Sequence, residues 1–205
     1  MWRFIFLLSL LPLLVFGAVK PLIVIDPGHG GHDEGAKVQT LLEKKITLTT
    51  AFFAKKHLET LGYRVILTRA RDSYISLARR AAIANKNQGA LFVSIHYNTA
   101  KNPLAKGIEV FYYNGAENPR IRASKQLANC ILSHLLDQTE AHSRGVKKFN
   151  HHVTRETQMP AVLVEAGFMT NLEERGQLKN REYLDRVAKG IALGVDKYTN
   201  VLGAN

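Results

Sequence analysis

Four titratable residues in this chain have the types and the spacing of a metal site with an adjacent general base. His29, Glu43 and His96 offer two imidazoles and one carboxylate. That set suits a tetrahedral zinc ion with one position left for water, whose pKa zinc lowers to about 7. Glu165 offers a second carboxylate, which can take the proton of that water and pass it to a leaving amine. The four residues together predict a zinc hydrolase.

Three of these residues follow short apolar runs that have the character of buried strands. The runs are residues 22–25 before His29, residues 91–95 before His96, and residues 161–164 before Glu165. Functional groups gather at the carboxyl ends of parallel strands, so we expect the three side chains at one rim of one sheet. Glu43 stands at the start of a helical pattern over residues 42–61, just after the loop that begins at His29.

Strand-like and helical patterns alternate along the chain, which predicts an α/β fold with a single central sheet, mostly parallel or mixed. Because the strands are apolar, helices should flank that sheet on both faces. Further strands are predicted at 63–67 and 108–113, and further helices at 76–87, 117–136 and 181–198. Ser76 suits the N-cap of the first of these helices. The stretch 137–158 is polar and basic, and no helix or strand is predicted in it.

The first eighteen residues have the features of a secretory signal peptide. Arg3 gives a positive start, residues 4–16 are almost entirely apolar, and Gly17 and Ala18 are small. The run is shorter than the roughly 20 apolar residues of a membrane-spanning helix, so no transmembrane anchor is expected. We therefore predict a signal peptide at 1–18, one catalytic domain at 19–205, and an exported protein. Cys130 is the only cysteine, which excludes an intramolecular disulfide.

The chain carries a strong excess of positive charge. Its 28 lysines and arginines against 17 aspartates and glutamates give a formal charge of +11. Such an excess favours a polyanionic partner, namely nucleic acid, an anionic membrane or an acidic cell-envelope polymer, although it can also serve solubility alone. Export makes nucleic acid the poorest of these partners, so a cell-envelope polymer is expected. Nothing in the sequence calls for more than a monomer.

Ordered blocks of the sequence resemble the zinc-dependent N-acetylmuramoyl-L-alanine amidases, which are bacterial cell-wall enzymes. The blocks are IDPGHGGHDEGA at 25–36, EK at 43–44, TR at 68–69 with Asp72 and Leu77, SIHYN at 94–98, and MPAVLVEAGFMTN at 159–171. The resemblance implies that His29, Glu43 and His96 hold Zn²⁺ and that Glu165 is the catalytic glutamate. The implied substrate is peptidoglycan, cut at the amide between the lactyl group of N-acetylmuramic acid and L-alanine of the stem peptide. The implied location is the periplasm or the cell wall.

Two positions depart from the pattern of that family. Glu34 stands where the family often has proline, and Tyr97 stands where it often has a small residue. Neither is an expected metal ligand, so the departures bear on substrate contacts. Some members carry an inhibitory helix between the second histidine and the catalytic glutamate, released by an activator. A strand and a helix already occupy much of that span here, so we expect no self-blocking segment, and the existence of an activator stays open.

Two other functions are compatible with parts of the sequence. Another zinc amide hydrolase of the cell envelope, a peptidase or deacetylase, would need the same metal chemistry. A non-catalytic, cationic wall-binding module would need none of it, and the presence of all four chemical residues argues against that module.

Several polar residues have no settled role at this stage. His142, His151 and His152 flank a basic stretch at 144–148, which predicts either a wall of the substrate cleft or a solvated loop. Asn98 and Asn171 can bind substrate or shape turns. Asp33 can orient a ligand histidine through its free ring nitrogen, or form an Asx turn.

Overall fold

The structure is a computed structural model that describes residues 20–202 of the 205-residue chain. The predicted signal peptide at 1–18 lies outside these residues. No helix within 20–202 is both long enough and apolar enough to cross a membrane.

A six-stranded mixed sheet forms the centre of the molecule, with strand order β4-β1-β5-β8-β6-β7. Its members are β1 (Leu22–Pro27), β4 (Arg64–Leu67), β5 (Leu91–Asn98), β6 (Ile108–Tyr113), β7 (Ser143–Phe149) and β8 (Ala161–Phe168). The first four strands in that order run parallel, β6 is antiparallel to β8, and β7 is parallel to β6. A two-stranded hairpin of β2 (Lys37–Val38) and β3 (Leu41–Leu42) lies before the first helix.

Helices cover the two faces of the sheet unequally. On what we call the thick face, α1 (Glu43–Thr60), α3 (Pro119–Thr139) and α6 (Arg181–Leu202) pack against one another and the strands. On the thin face, α2 (Leu77–Lys86) packs against the short α4 (His152–Glu156). A further short helix, α5 (Leu172–Leu178), follows β8. The predicted α/β fold, with one mixed sheet and helices on both faces, is confirmed.

Side chains alternate along each strand between the two faces. In β1, Ile23 and Ile25 belong to the large core of the thick face, whereas Val24 belongs to a smaller cluster on the thin face with Phe92 and Leu163. The thin face therefore has fewer apolar side chains above it. Polar groups near the carboxyl ends of its strands are left partly open to solvent.

Most predicted elements lie where the sequence placed them. The helix after Glu43 ends before Gly62, whose positive φ of 90° suits glycine, and the Ser76 hydroxyl accepts the first-turn N–H of Arg79 at 3.3 Å. One expectation is wrong, because β5 and β8 continue to Asn98 and Phe168. His96 and Glu165 therefore lie inside their strands instead of just after them.

The basic stretch 137–158 is more ordered than its composition suggests. It contains the edge strand β7 and the short helix α4. The long helix between His96 and Glu165 is α3, which packs against α6 on the thick face, across the sheet from these two side chains.

Candidate functional site

The candidate site lies near the carboxyl ends of the parallel strands, on the thin face. His96 of β5 is in register with Glu165 of β8, and Glu165 is in register with Glu109 of β6. His29 follows β1, and Glu43 is the first residue of α1. The structure thus brings together all four residues that the sequence singled out, and it adds Glu109 to the same row.

His29, Glu43 and His96 form one compact cluster. The Nε2 atom of His29 is 3.1 Å from Oε2 of Glu43, and Nδ1 of His96 is 3.0 Å from Oε1 of the same carboxylate. The candidate ligand atoms all lie within 4.8 Å of one another. Two nitrogens and one carboxylate oxygen at this separation can hold a metal ion of the zinc type.

Asp33 fixes the orientation of the His29 ring. Its Oδ1 lies 2.9 Å from Nδ1 of His29 and also accepts the N–H of Gly35 at 3.1 Å. Both roles proposed for Asp33 are therefore filled by one oxygen, which orients the imidazole and closes an Asx turn. With Nδ1 engaged, Nε2 is the His29 nitrogen that faces the cluster.

Glu43 is held in its ionised form. Backbone N–H groups of Ala36 and Tyr97 donate to its two oxygens at 2.9 and 3.1 Å. Burial acts to raise the pKa of this carboxyl, but hydrogen bonds to His29 and His96 hold that pKa well below its usual range. Burial likewise acts to lower the pKa of His29, and its bonds to Glu43 and Asp33 raise it above the ordinary value. A dication bound in the cluster would take the place of the imidazole protons that face Glu43.

The loop that carries His29 has an unusual backbone. His29 itself has a positive φ of 61°, a conformation that few residues other than glycine adopt. A Cβ on Gly28 would lie 2.3 Å from Cε1 of His96, so only glycine lets the backbone pass beneath that ring. Strain of this kind persists where the surrounding structure enforces it, and it is concentrated at functional sites.

A buried ion pair beneath the loop holds its backbone in this strained conformation. Asp26 and Arg80 are 1% and 2% exposed, and Nη1 of Arg80 donates to Oδ1 of Asp26 at 2.7 Å. Arg80 also donates to the carbonyl oxygens of Pro27 and His29, both at 2.6 Å. The hydroxyls of Thr68 and Ser94 donate to the Asp26 carboxylate and complete its partners.

A second buried arginine holds the same loop from the side of α1. Arg69 donates through Nε to the carbonyl of Pro27 at 3.0 Å and through Nη2 to the carbonyl of Gly28 at 2.7 Å. No role for Arg80 was predicted from the sequence, and Arg69 was noted only as part of a motif. The one available signal was the position of Arg80 on the apolar side of a helix, next to Ala81 and Ala84.

Glu165 has a different environment from Glu43. Its Oε2 atom is buried and has no hydrogen-bond partner within residues 20–202. Burial raises the pKa of this carboxyl, and the negative charges of Glu43 and Glu109 raise it further. A carboxylate kept free of partners beside a candidate metal cluster is suited to accept and release a proton.

Glu109, next to Glu165, accepts hydrogen bonds from three side chains. It is 4% exposed, its Oε1 accepts from Asn98 at 2.7 Å, and its Oε2 accepts from Nε of Arg144 at 3.0 Å and from the Lys147 ammonium. Asn98 therefore bonds a glutamate of the site. Glu109 was missed in the sequence, although a lone acid between Ile108 and Val110 was a visible interruption of an apolar strand.

Two of the three unassigned histidines line a cavity beside the cluster. The cavity has a volume of about 350 Å³, and His151 and His152 share its wall with His29 and His96. Burial lowers the pKa of His151 to about 4, so its imidazole is uncharged at neutral pH. His142 is exposed instead, and its carbonyl pairs with the N–H of Ile108.

Tyr97 and Asn171 do not line the cavity. Tyr97 packs on the thick face, where its hydroxyl lies 2.6 Å from that of Thr50, so this departure from the family pattern does not alter the cleft. Asn171 is the N-cap of α5 and accepts from the N–H groups of Glu173 and Glu174. Its role is to shape a turn.

Comparison with known proteins places the chain among cell-wall amidases. Residues 23–197 match the family model described as N-acetylmuramoyl-L-alanine amidase. The N-acetylmuramoyl-L-alanine amidase CwlM of Bacillus licheniformis is 35% identical over 181 residues, which cover 87% of this chain and 69% of that protein.

Solved structures of amidases share the fold. The N-acetylmuramoyl-L-alanine amidase of Clostridium difficile 630 is 37% identical with a TM-score of 0.85, over 91% of this chain and 100% of that one. The CwlD amidase of Clostridioides difficile, solved in complex with the GerS lipoprotein, is 29% identical with a TM-score of 0.83, over 89% and 100%. From the family match over residues 23–197 and these relatives, the chain belongs to the N-acetylmuramoyl-L-alanine amidase family.

Proposed function

We propose that this enzyme hydrolyses the amide between the lactyl group of N-acetylmuramic acid and L-alanine of the peptidoglycan stem peptide. In this proposal His29, Glu43 and His96 hold a zinc ion and Glu165 is the general base. The observation that carries it is the position of Glu165, whose unpartnered Oε2 belongs to the residue in register with His96. An unpaired buried carboxylate is costly in a merely structural role, so its retention favours a chemical one.

The donor set of the cluster supports zinc over magnesium or calcium. Two imidazoles and one carboxylate suit zinc, whereas magnesium and calcium prefer oxygen ligands alone. Glu43 is ionised, and Asp33 holds His29 in the tautomer whose Nε2 is free to bind. Three protein ligands leave the fourth tetrahedral position open, as catalytic zinc sites require.

The chemistry is divided between the ion and the chain. A bound zinc ion would polarise the amide carbonyl and lower the pKa of water to about 7. Glu165 accepts the proton of the attacking water and delivers it to the leaving nitrogen of L-alanine, which would otherwise depart as an unstable anion. Arg69 and Arg80 keep the His29 loop in its strained path, so the ligands stay in place through the reaction.

We also propose that the enzyme acts outside the cytoplasmic membrane, in the periplasm or the cell wall. Residues 1–18 are the proposed signal peptide and 19–205 the catalytic domain. Export would bring the domain to peptidoglycan, and the charge of +11 favours an anionic polymer as partner.

The decisive experiment digests purified peptidoglycan and identifies the chain ends that are released. New L-alanine amino termini are expected, and they should vanish after chelation and return on addition of zinc. Amino termini of other residues would indicate a peptidase, and free amino sugars would indicate a deacetylase. Binding without any new end would indicate a wall-binding module.

A matched pair of variants tests the metal ligands. His96→Ala should lose both bound zinc and activity, because one of three protein ligands is removed. His142→Ala is the control, since His142 is exposed and lies outside the cluster. Activity retained in His96→Ala, or lost equally in both variants, would contradict the assignment.

A further inference from the structure

Few buried side-chain polar atoms in the described part of the chain lack a partner. Within residues 20–202, three buried side-chain atoms lack a hydrogen-bond partner, namely Oε2 of Glu165, Nε2 of His151 and Nε2 of His152. Buried polar groups are normally paired, so an unpaired group calls for an explanation. Catalysis explains Glu165. It does not explain the two imidazoles, which line the cavity next to the metal cluster.

The cavity lining contains three charged side chains, Asp26, Arg80 and Asp33, and the first two neutralise each other. Its mouth has two exposed side chains, Tyr74 and Leu77, at 48% and 55%. The His151 ring lies edge-on to Phe111 and tilted against Phe149, with centroids 5.3 and 4.5 Å apart. Apolar walls with a few hydrogen-bonding groups are typical of small-molecule sites. A sugar ring suits them, because it presents C–H groups on its faces and hydroxyl and amide groups at its edge.

The opposite side of Glu165 is cationic. The row across the strands runs from His96 to Glu165 to Glu109, and the two cations that bond Glu109 come from the next strand, β7. The Lys147 ammonium also lies 6.0 Å from the centroid of the Phe111 ring, which His151 contacts from the side of the cavity. Arg144 and Lys147 both bond one oxygen of Glu109, which leaves one positive charge in excess. The guanidinium of Arg144 also lies over the Phe168 ring, 4.8 Å from its centroid.

These contacts hold the two cations in fixed positions beside the reacting carboxylate. Asn98 occupies the other oxygen of Glu109, so that carboxylate is fully engaged and cannot turn away. Neither cation is enclosed, since the Arg144 and Lys147 side chains are 32% and 40% exposed. A fixed, partly exposed excess of positive charge is suited to a carboxylate of a ligand.

We propose that the substrate lies along this row with its muramoyl sugar in the His151–His152 cavity and the carboxylates of its stem peptide at Arg144 and Lys147. The inference rests on the proposed function and adds the direction in which the substrate binds. The sugar is uncharged, whereas the peptide beyond L-alanine carries carboxylates. The reverse direction would place those carboxylates in a cavity whose charged side chains, Asp26, Arg80 and Asp33, sum to one negative charge, and the sugar against the cations.

The peptide end is tested with two ligands that differ by one charge, N-acetylmuramoyl-L-alanyl-D-glutamate and its D-isoglutamine analogue. Binding is measured by calorimetry on zinc-loaded Glu165→Gln, so that hydrolysis does not interfere. The charged ligand should bind about tenfold more tightly, as expected for a hydrogen bond between charged groups. Adding Lys147→Met should reduce that preference to about threefold or less by loss of one cation. Lys148→Met is the control, because Lys148 is exposed and makes no bond to Glu109.

The sugar end is tested by comparing N-acetylmuramoyl-L-alanyl-D-glutamate with lactoyl-L-alanyl-D-glutamate, which lacks the sugar. His151→Phe preserves the ring contacts with Phe111 and Phe149 but removes the nitrogens. It should weaken binding of the sugar-containing ligand by about fivefold to tenfold, the value of one hydrogen bond, and leave binding of the lactoyl ligand unchanged. His142→Phe is the control at an exposed position.

Three results would overturn the proposed direction. The first is a preference for the charged ligand that survives Lys147→Met. The second is an equal loss of affinity for both ligands in His151→Phe. The third is a loss of affinity in Lys147→Met that occurs only with the ligand that contains the sugar. Any of these results, with new L-alanine termini still released by the unmodified enzyme, leaves the proposed function intact. Failure of every ligand to bind, together with the absence of new termini, overturns both.

Discussion

Two carboxylates on the thin face have opposite surroundings. The oxygens of Asp26 accept from Arg80, Thr68 and Ser94, whereas Oε2 of Glu165 has no partner within the described part of the chain. Burial acts to raise the pKa of both. The Arg80 charge and the hydrogen bonds overcome that effect at Asp26, whose pKa falls below its ordinary value, whereas the pKa of Glu165 stays raised.

The difference separates charges that build the site from the charge that reacts. Asp26 and Arg80 neutralise each other and fix the carbonyls of the loop, so they are static. Glu165 is left without a partner, and this costs stability but keeps its oxygen available to a proton. Functional sites often break a rule of folding in this way and are supported by well-satisfied neighbours.

Removal of the reactive carboxylate should have the largest effect. Glu165→Gln should lower the rate of L-alanine terminus release by about 10²–10⁴-fold, the usual contribution of a general base. Metal content and secondary structure should be unchanged, because Glu165 is not a ligand in this account. Turnover is measured on purified peptidoglycan and zinc by atomic absorption. Normal turnover would assign the base to another residue.

Removal of the structural cation should have its main effect on the stability of the fold. Arg80→Met leaves Asp26 buried without its counter-ion and should lower the free energy of unfolding by about 3–5 kcal/mol. Urea unfolding followed by circular dichroism gives this value. Arg79→Met is the matched control at an exposed neighbouring position and should change stability by no more than about 0.5 kcal/mol. Equal losses in the two variants would show that the buried pair is not special.

The hydrogen bond behind His29 should affect metal affinity. Asp33→Asn keeps the shape of the side chain but removes its charge, and it should weaken zinc binding by about 10–100-fold. Competition with a chromogenic chelator measures the change. Unchanged affinity would mean that Asp33 serves only the turn that it forms with Gly35.

The smallest effect concerns the stability cost of the free carboxylate in the metal-free protein. A carboxyl with a raised pKa holds its proton more tightly when folded, so its contribution to stability falls as pH rises above the ordinary value of about 4.3. Metal-free Glu165→Gln should therefore melt a few degrees above the unmodified protein at pH 7.5, since about 1 kcal/mol shifts Tm by about 2–4 °C in a domain of this size. The difference should disappear near pH 4. A constant difference across this range would contradict the cost assigned to Glu165.

The sequence predicted the local features of this molecule better than the contacts between distant segments. The strand-like runs and the residues after them were enough to bring His29, His96 and Glu165 to one rim. Pairing between Asp26 and Arg80 joins residues 54 positions apart, and no local pattern records it. The place of Glu109 in the site likewise follows only from its register with Glu165 in the sheet.

The edge of the sheet was missed for a different reason. The strand β7 has the sequence SRGVKKF, which is rich in lysine and arginine and contains a glycine. Edge strands are often charged, because charge discourages pairing with another chain, so apolar periodicity does not detect them. The register of β7 against β6 shifts near Gly145, and after β7 the chain turns into α4, with His151 and His152 in the wall of the cavity. These positions depend on tertiary pairing.

The central claim is that His29, Glu43 and His96 hold one zinc ion beside Glu165. A crystal grown with zinc, with data collected above and below the zinc absorption edge, tests it most directly. We predict one anomalous peak about 2.0–2.2 Å from Nε2 of His29, a carboxylate oxygen of Glu43 and Nδ1 of His96. No peak among these atoms, or a peak at another group of residues, would contradict the account.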